Sequence, residues 1–209
     1  MTPGETYLRW YFENNVWKRV HYRGVRTLKN VCDMWNYQEI FSERGIGWVI
    51  ETGTRHGGSG LFFADLLDSI HAEGKVFTID IDDSDYCAPP HSRLIRVLGN
   101  STDPDLVNEI FSRIPSKRSP LFLILDSDHR ASHVLLELET WIPCLSSGDY
   151  VVVEDGIVNG HPVRPQHGPG PWEAIEAFLQ RHPQTLIHDQ KREKKFGQTF
   201  ALRGYFIVA

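Results

Sequence analysis

The chain has little cysteine and methionine: three Cys and two Met among 209 residues. Cys32, Cys87 and Cys144 are widely spaced, which excludes a disulfide framework and any C-x-x-C zinc motif, so they read as free thiols. Long apolar runs are also missing. The longest, Leu121 to Leu125, falls far short of the ~20 residues that span a bilayer. The N-terminus is polar and charged, unlike a secretion signal, and a cytoplasmic protein with no membrane partner is expected. Positive charge does not dominate either, the formal net charge being -5. A nucleic-acid footprint needs a basic face to displace counterions, so nucleic acid is not an expected partner. The phosphate fingerprints G-x-G-x-x-G and G-x-x-x-x-G-K-[ST] are absent, because Gly53 is followed by Thr54, Arg55 and His56. A cofactor without a pyrophosphate fits better.

What is present is one globular domain's worth of chain, 41% hydrophobic and 23% charged, with no internal repeat or linker. Residues 1–29, rich in aromatic and basic side chains, show no clean period and read as an appendage or lid on a single domain over residues 30–209. An amphipathic helix is expected from about Asn30 to Ser42. Short strands follow at Trp48–Ile50, Val76–Ile79, Leu94–Val97, Leu121–Leu125 and Tyr150–Val153. Helical stretches lie near Gly58–His71, Pro104–Arg113, His133–Trp141 and Pro171–Arg181, with Pro104 and Pro171 suited to first turns. Two more strands, Thr185–His188 and Tyr205–Val208, are expected to be joined by a charged turn and not by a helix. The basic run Lys191–Lys195 reads as that solvated turn. Such alternation specifies an α/β fold with a mostly parallel sheet covered on both faces, whose ligands bind outside the carboxyl ends of the strands.

Chemistry-bearing residues collect at those ends. The first strand runs into Glu51-Thr52-Gly53-Thr54-Arg55-His56-Gly57-Gly58-Ser59-Gly60, a glycine-rich turn that permits close backbone approach. One strand later Asp80 stands where an acidic side chain accepts hydrogen bonds from nucleoside ribose hydroxyls, which points to an adenosine-type cofactor. The fourth strand leads into Asp126-Ser127-Asp128-His129 and the fifth into Glu154-Asp155. Carboxylates so grouped repel one another unless neutralised, and a hard divalent cation with oxygen ligands is the economical explanation. His129, three residues beyond Asp126, has an intrinsic pKa suited to proton abstraction near neutral pH. The Gly/Pro-rich loop Asn159-Gly160-His161-Pro162 to His167-Gly168-Pro169-Gly170-Pro171 is too long for a simple connection and is expected to shape an acceptor site. Within it His161 and His167, taken singly, also read as solvated loop histidines.

These motifs, with Trp35-Asn36-Tyr37-Gln38-Glu39, resemble in order the cephalosporin hydroxylase and rhamnosyl O-methyltransferase family, related to macrolide sugar O-methyltransferases, over roughly Thr27 to Tyr205. The resemblance implies a Rossmann-like class I methyltransferase fold, with a mostly parallel seven-stranded sheet and a C-terminal antiparallel strand pair. It implies S-adenosylmethionine and Mg2+, or another divalent cation, as cofactors, and transfer of a methyl group to a hydroxyl of a sugar, oligosaccharide or glycosylated metabolite. Carried over by position, it makes Asp126, Glu154 and Asp155 the metal ligands and His129 the general base. Glu51, Gly53, Ser59, Asp80, Asn100 and Ser101 become the cofactor contacts. Asp128, Asn159, His161 and His167 stand as acceptor-site candidates, and a homo-oligomer is compatible with this class. Two rivals are a metal-dependent oxygenase, which requires two histidines and a carboxylate on one iron site, and a binding module without turnover.

Overall fold

In the computed structural model, which describes residues 2–209, the segment before residue 30 is built from regular elements. Thr2 Oγ1 accepts from the Glu5 amide (3.2 Å) while the Glu5 carboxylate accepts from the Thr2 amide (2.7 Å). This capping box opens α1 (Pro3–Glu13), with its proline in the first turn. A 3-10 turn (Trp17–Arg19) and a hairpin of β1 (His21–Tyr22) with β2 (Val25–Arg26) follow. The expectation of a segment without period is thereby corrected. Aromatic residues stand on both sides of α1, Tyr11 inside and Tyr7 and Trp10 outside, so its amphipathicity is masked in the composition.

Asn30 then caps α2 (Val31–Arg44) by accepting from the Cys32 amide, and Gly45, at a φ of 63°, ends it in the left-handed conformation. The main alternation is β3 (Trp48–Thr52), α3 (Gly58–Ser69), β4 (Val76–Asp80), β5 (Leu94–Leu98), α4 (Pro104–Ser112), β6 (Leu121–Leu125), α5 (Ala131–Trp141) and β7 (Tyr150–Val153). It closes with α6 (Pro171–Arg181), β8 (Leu186–His188), α7 (Gln190–Lys194) and β9 (Tyr205–Val208). A short helix therefore lies between the final two strands where a solvated turn was expected. Asp189 caps it by accepting from the Arg192 amide (3.1 Å), and Arg192 donates to Glu39 and Glu43 of α2 at 2.6 Å each. Those partners fold the basic run onto the domain.

The seven-stranded sheet runs β5-β4-β3-β6-β7-β9-β8, with β5, β4, β3, β6 and β7 mutually parallel and β9 antiparallel to both its neighbours. The chain moves outward from β3 to β5 and then outward again from β6, so the topological switch lies between β3 and β6. Side chains alternate across it. Leu121, Leu123 and Leu125 join the core under α4, α5 and α6, whereas Phe122 and Ile124 join that under α2 and α3. A smaller cluster packs Leu8 and Tyr11 of α1 on Ile157, Val163 and Phe200, beyond the ends of β7 and before β9. All three cysteines are free thiols, and among the described residues no helix is long and apolar enough to cross a membrane.

Candidate active site

The carboxyl ends of five adjacent parallel strands carry the functional residues in one row. At the β3–β4 end, Gly53 donates to the Ile79 carbonyl (2.8 Å) and the Arg55 amide donates to Asp80 Oδ2 (2.8 Å), which brings the glycine turn beside Asp80. Gly53 has a φ of 87°, and a Cβ on it would stand 2.0 Å from the Asp126 carbonyl oxygen. Glycine is required there because the backbone after β6 passes close by.

Glu51 is fully buried, and one of its oxygens accepts from Thr78 Oγ1 (2.7 Å) while Oε1 has no partner. Burial pushes its pKa up to about 7, against the attraction of Lys29. Ser59 is buried at the start of α3. At the β5 end, Asn100 caps its own turn by accepting from the Thr102 amide (3.1 Å). Ser101 receives Trp141 Nε1 on its carbonyl (2.9 Å) and places its hydroxyl 3.3 Å from His133 Nε2, which in turn lies 3.1 Å from Ser127 Oγ. The two turns that flank Asp80 and Asp126 are thus joined through α5.

The carboxylate cluster forms where β6 and β7 end. Ligand atoms of Asp126, His129 and Asp155 lie within 4.8 Å of one another. His129 sits between the two acids, Nε2 being 3.5 Å from Asp126 Oδ1 and Nδ1 3.1 Å from Asp155 Oδ2. Burial works against the imidazolium, but Asp155 and Asp126 outweigh it and push the pKa up to about 9. Asp155 adopts a φ of 55°, a strained conformation for a residue with a side chain, and this turns its carboxylate toward His129. Its neighbour Glu154 faces inward, where Oε1 accepts from Tyr37 Oη at 2.5 Å and stands 3.3 Å from Lys29 Nζ. Burial, with Asp126, Asp33 and Asp155 nearby, raises its pKa despite Lys29. Asp126 moves the other way: burial opposes its charge, yet Lys29, donating to Oδ2 at 2.5 Å, and His129 hold its carboxyl below the ordinary range.

The structure brings together Asp126, His129 and Asp155, with Glu154 behind them, and turns Asp128 away. Asp128 accepts from Arg130 Nε (2.8 Å), and that hydrogen bonding holds its pKa down near about 2. Asn159 Nδ2 and His161 Nε2 both meet Glu173 Oε1, at 2.8 and 3.0 Å, while the His161 ring stacks on Trp172 at 4.2 Å. His167 Nδ1 lies 3.2 Å from the Gly168 carbonyl oxygen, and Gly170 beside it packs near the His129 carbonyl. Sequence reasoning missed Lys29 altogether. It named Tyr37 only as part of a motif, because an aromatic inside an amphipathic helix reads as core.

Four carboxylates, Glu51, Asp126, Glu154 and Asp155, thus face one permanent cation, Lys29, and one histidine. Hard oxygen donors with an excess of negative charge fit a divalent cation. Among the described residues neither grouping of potential ligands holds two histidines, which disfavours the oxygenase arrangement. The unpartnered buried Glu51 oxygen and the half-buried carboxylate of Asp80 at the rim fit a cofactor with an amino group and a ribose.

The family model described as Rhamnosyl O-methyltransferase/CmcI matches residues 14–209. The Rhamnosyl O-methyltransferase of Mycobacterium tuberculosis (strain ATCC 25618 / H37Rv) is 45% identical over 207 residues, covering 97% of this chain and 84% of that protein. Its namesake in Mycobacterium leprae (strain TN) is 44% identical over 206 residues, covering 97% and 89%. Among solved structures, CmcI with Mg and SAM superposes with a TM-score of 0.72 at 22% identity, over 92% of this chain and 77% of that one. An O-methyltransferase from Bacillus cereus in complex with SAH gives 0.56 at 15% identity, over 100% and 93%. At such identities the superpositions bear on the fold, that of the class I methyltransferases.

Proposed function

Because the chain belongs to the Rhamnosyl O-methyltransferase/CmcI family, we propose that it transfers a methyl group from S-adenosylmethionine to a hydroxyl of a sugar-containing acceptor, assisted by a divalent cation. The observation that carries this reading is the convergence of Asp126, His129 and Asp155 at the strand ends, one strand away from Glu51 and two from Asp80. Asp126, Glu154 and Asp155 would hold the cation, and Glu51, Gly53, Ser59, Asp80, Asn100 and Ser101 would line the cofactor.

A divalent cation bound there supplies a lowered hydroxyl pKa and a fixed position for the acceptor oxygen. His129 accepts the hydroxyl proton, and Asp155 at Nδ1 orients its ring and stabilises the imidazolium that results. Asp126 shares its two oxygens between Lys29 and His129, so the proton acceptor and the cation ligand move as one unit. On the acceptor side, α1 packs on Ile157 and Val163 and helps to exclude water. Glu173 pins Asn159 and His161, which keeps that loop in shape. The decisive experiment is transfer of labelled methyl from S-adenosylmethionine to a panel of rhamnosides and other glycosides, with and without chelator. Turnover that needs added Mg2+ is expected; turnover unaffected by exhaustive chelation rejects the role of the cation.

A further inference from the structure

Lys29 is only 2% exposed, and burying an ammonium is costly unless it is paired. It is paired twice, at 2.5 Å from Asp126 Oδ2 and 3.3 Å from Glu154 Oε1, two of the carboxylates assigned above to the cation. Its backbone is held on both sides. Leu28 is in the left-handed conformation at a φ of 58°. Asn30 caps α2, and its side chain exchanges hydrogen bonds with Gln198 at 2.5 and 3.2 Å. A lysine anchored in this way is not a mobile surface cation that happens to reach a carboxylate. The oxygens are divided among partners as well: Asp126 presents Oδ2 to Lys29 and Oδ1 to His129, and Glu154 gives Oε1 to both Lys29 and Tyr37.

Resting on the function proposed above, the geometry points to Lys29 as a positioning residue that acts as an internal counter-cation. It neutralises Asp126 and Glu154 in the absence of the divalent cation, and it weakens the binding of that cation so that the ion stays exchangeable. The reason is electrostatic. Ammonium and divalent ion draw on the same two carboxylates, and a fixed positive charge within a few ångströms in a partly dry site changes an ion's affinity by roughly tenfold or more. A lysine with a merely structural role has the opposite signature, because its loss loosens the ligands and weakens metal binding.

The test compares wild type, Lys29→Met and Lys29→Arg as full chains. Each is titrated with Mn2+ in the presence of S-adenosylhomocysteine, and bound ion is read by electron paramagnetic resonance and by the gain in melting temperature. Lys29→Met is expected to bind Mn2+ roughly tenfold or more tightly than wild type and to gain more in melting temperature, whereas Lys29→Arg stays close to wild type. Unchanged or weaker binding by Lys29→Met overturns the inference. If Lys29→Met is unfolded without metal, saturating Mn2+ should restore its fold, since the ion replaces the missing charge, and failure to do so overturns the inference equally. Wild type that binds no Mn2+ strikes at the proposed function itself and removes the premise along with the inference.

Discussion

His129 Nδ1 lies 3.1 Å from Asp155 Oδ2, so the imidazole is oriented by an acid whose own backbone is held in a left-handed conformation. With both carboxylates unshared, this environment keeps His129 protonated to about 9, and only the neutral ring accepts a proton. A divalent cation that neutralises Asp126 and Asp155 brings the ionisation down. Turnover should therefore rise with pH through one ionisation, at a pH that falls as Mg2+ is raised. His129→Ala should lose ~10²–10⁴-fold in rate, lack that ionisation, and bind S-adenosylhomocysteine as wild type does. A mutant profile parallel to wild type would demote His129 to an orienting role. Asp128, held down near about 2 by Arg130, is then a poor substitute base.

Asp126→Ala and Glu154→Ala should each abolish Mg2+-dependent turnover while leaving cofactor affinity close to wild type. The two variants should part in stability. Glu154→Ala leaves the buried Tyr37 Oη without an acceptor and removes one of the two carboxylates that pair Lys29, and its melting temperature should fall further than that of Asp126→Ala, which keeps the Tyr37 contact. Calorimetric titration and thermal melts of both variants check this.

Asp80→Ala should weaken S-adenosylhomocysteine binding by ~1.5–3 kcal/mol, the scale of hydrogen bonds to a charged group. Part of that loss comes through the protein, since Asp80 Oδ2 also accepts from the Arg55 amide in the glycine turn. Isothermal titration with an intact fold and unchanged affinity would show that the ribose is held elsewhere.

Glu173 predicts an acid-side effect on stability. Burial opposes its charge, but the Gly170 amide, His161 and Asn159 outweigh it and hold its pKa down near about 2, below the usual 4.5. A depressed carboxyl contributes stability that is fully present above the unfolded value and is lost as pH falls through the folded one. Glu173→Gln should thus destabilise the protein by about 1 kcal/mol at neutral pH, and the gap to wild type should close as pH falls from 4.5 toward 2. Urea melts at a series of pH values measure it.

Much of the site could be read because acids directly follow apolar strand segments, Asp126 after Leu125 and Glu154 after Val153, and a parallel sheet sends strand ends to one rim. The structure adds what adjacency hides. Glu154 and Asp155 are neighbours in sequence yet meet different partners, Lys29 and Tyr37 for the one and His129 for the other, and Asp155 reaches His129 from a backbone of positive φ. Lys29 carried no local signal, since its meaning depends on two carboxylates about a hundred residues away. The helix α7 was hidden for a related reason, its charges being satisfied by Glu39 and Glu43 of a distant helix.

The alternation along β6 makes the position of the site a question of parity. Leu121, Leu123 and Leu125 fill one layer and Phe122 and Ile124 the other, and Asp126 is the next position in that count. Inserting or deleting a single residue within the strand would exchange odd for even on one side of the change, sending leucines into the aromatic layer or turning Asp126 to the opposite side. A change of two residues would preserve both layers and only move the acid along the strand by about one pleat repeat. Length variants of β6 should therefore divide into tolerated even changes and ruinous odd ones.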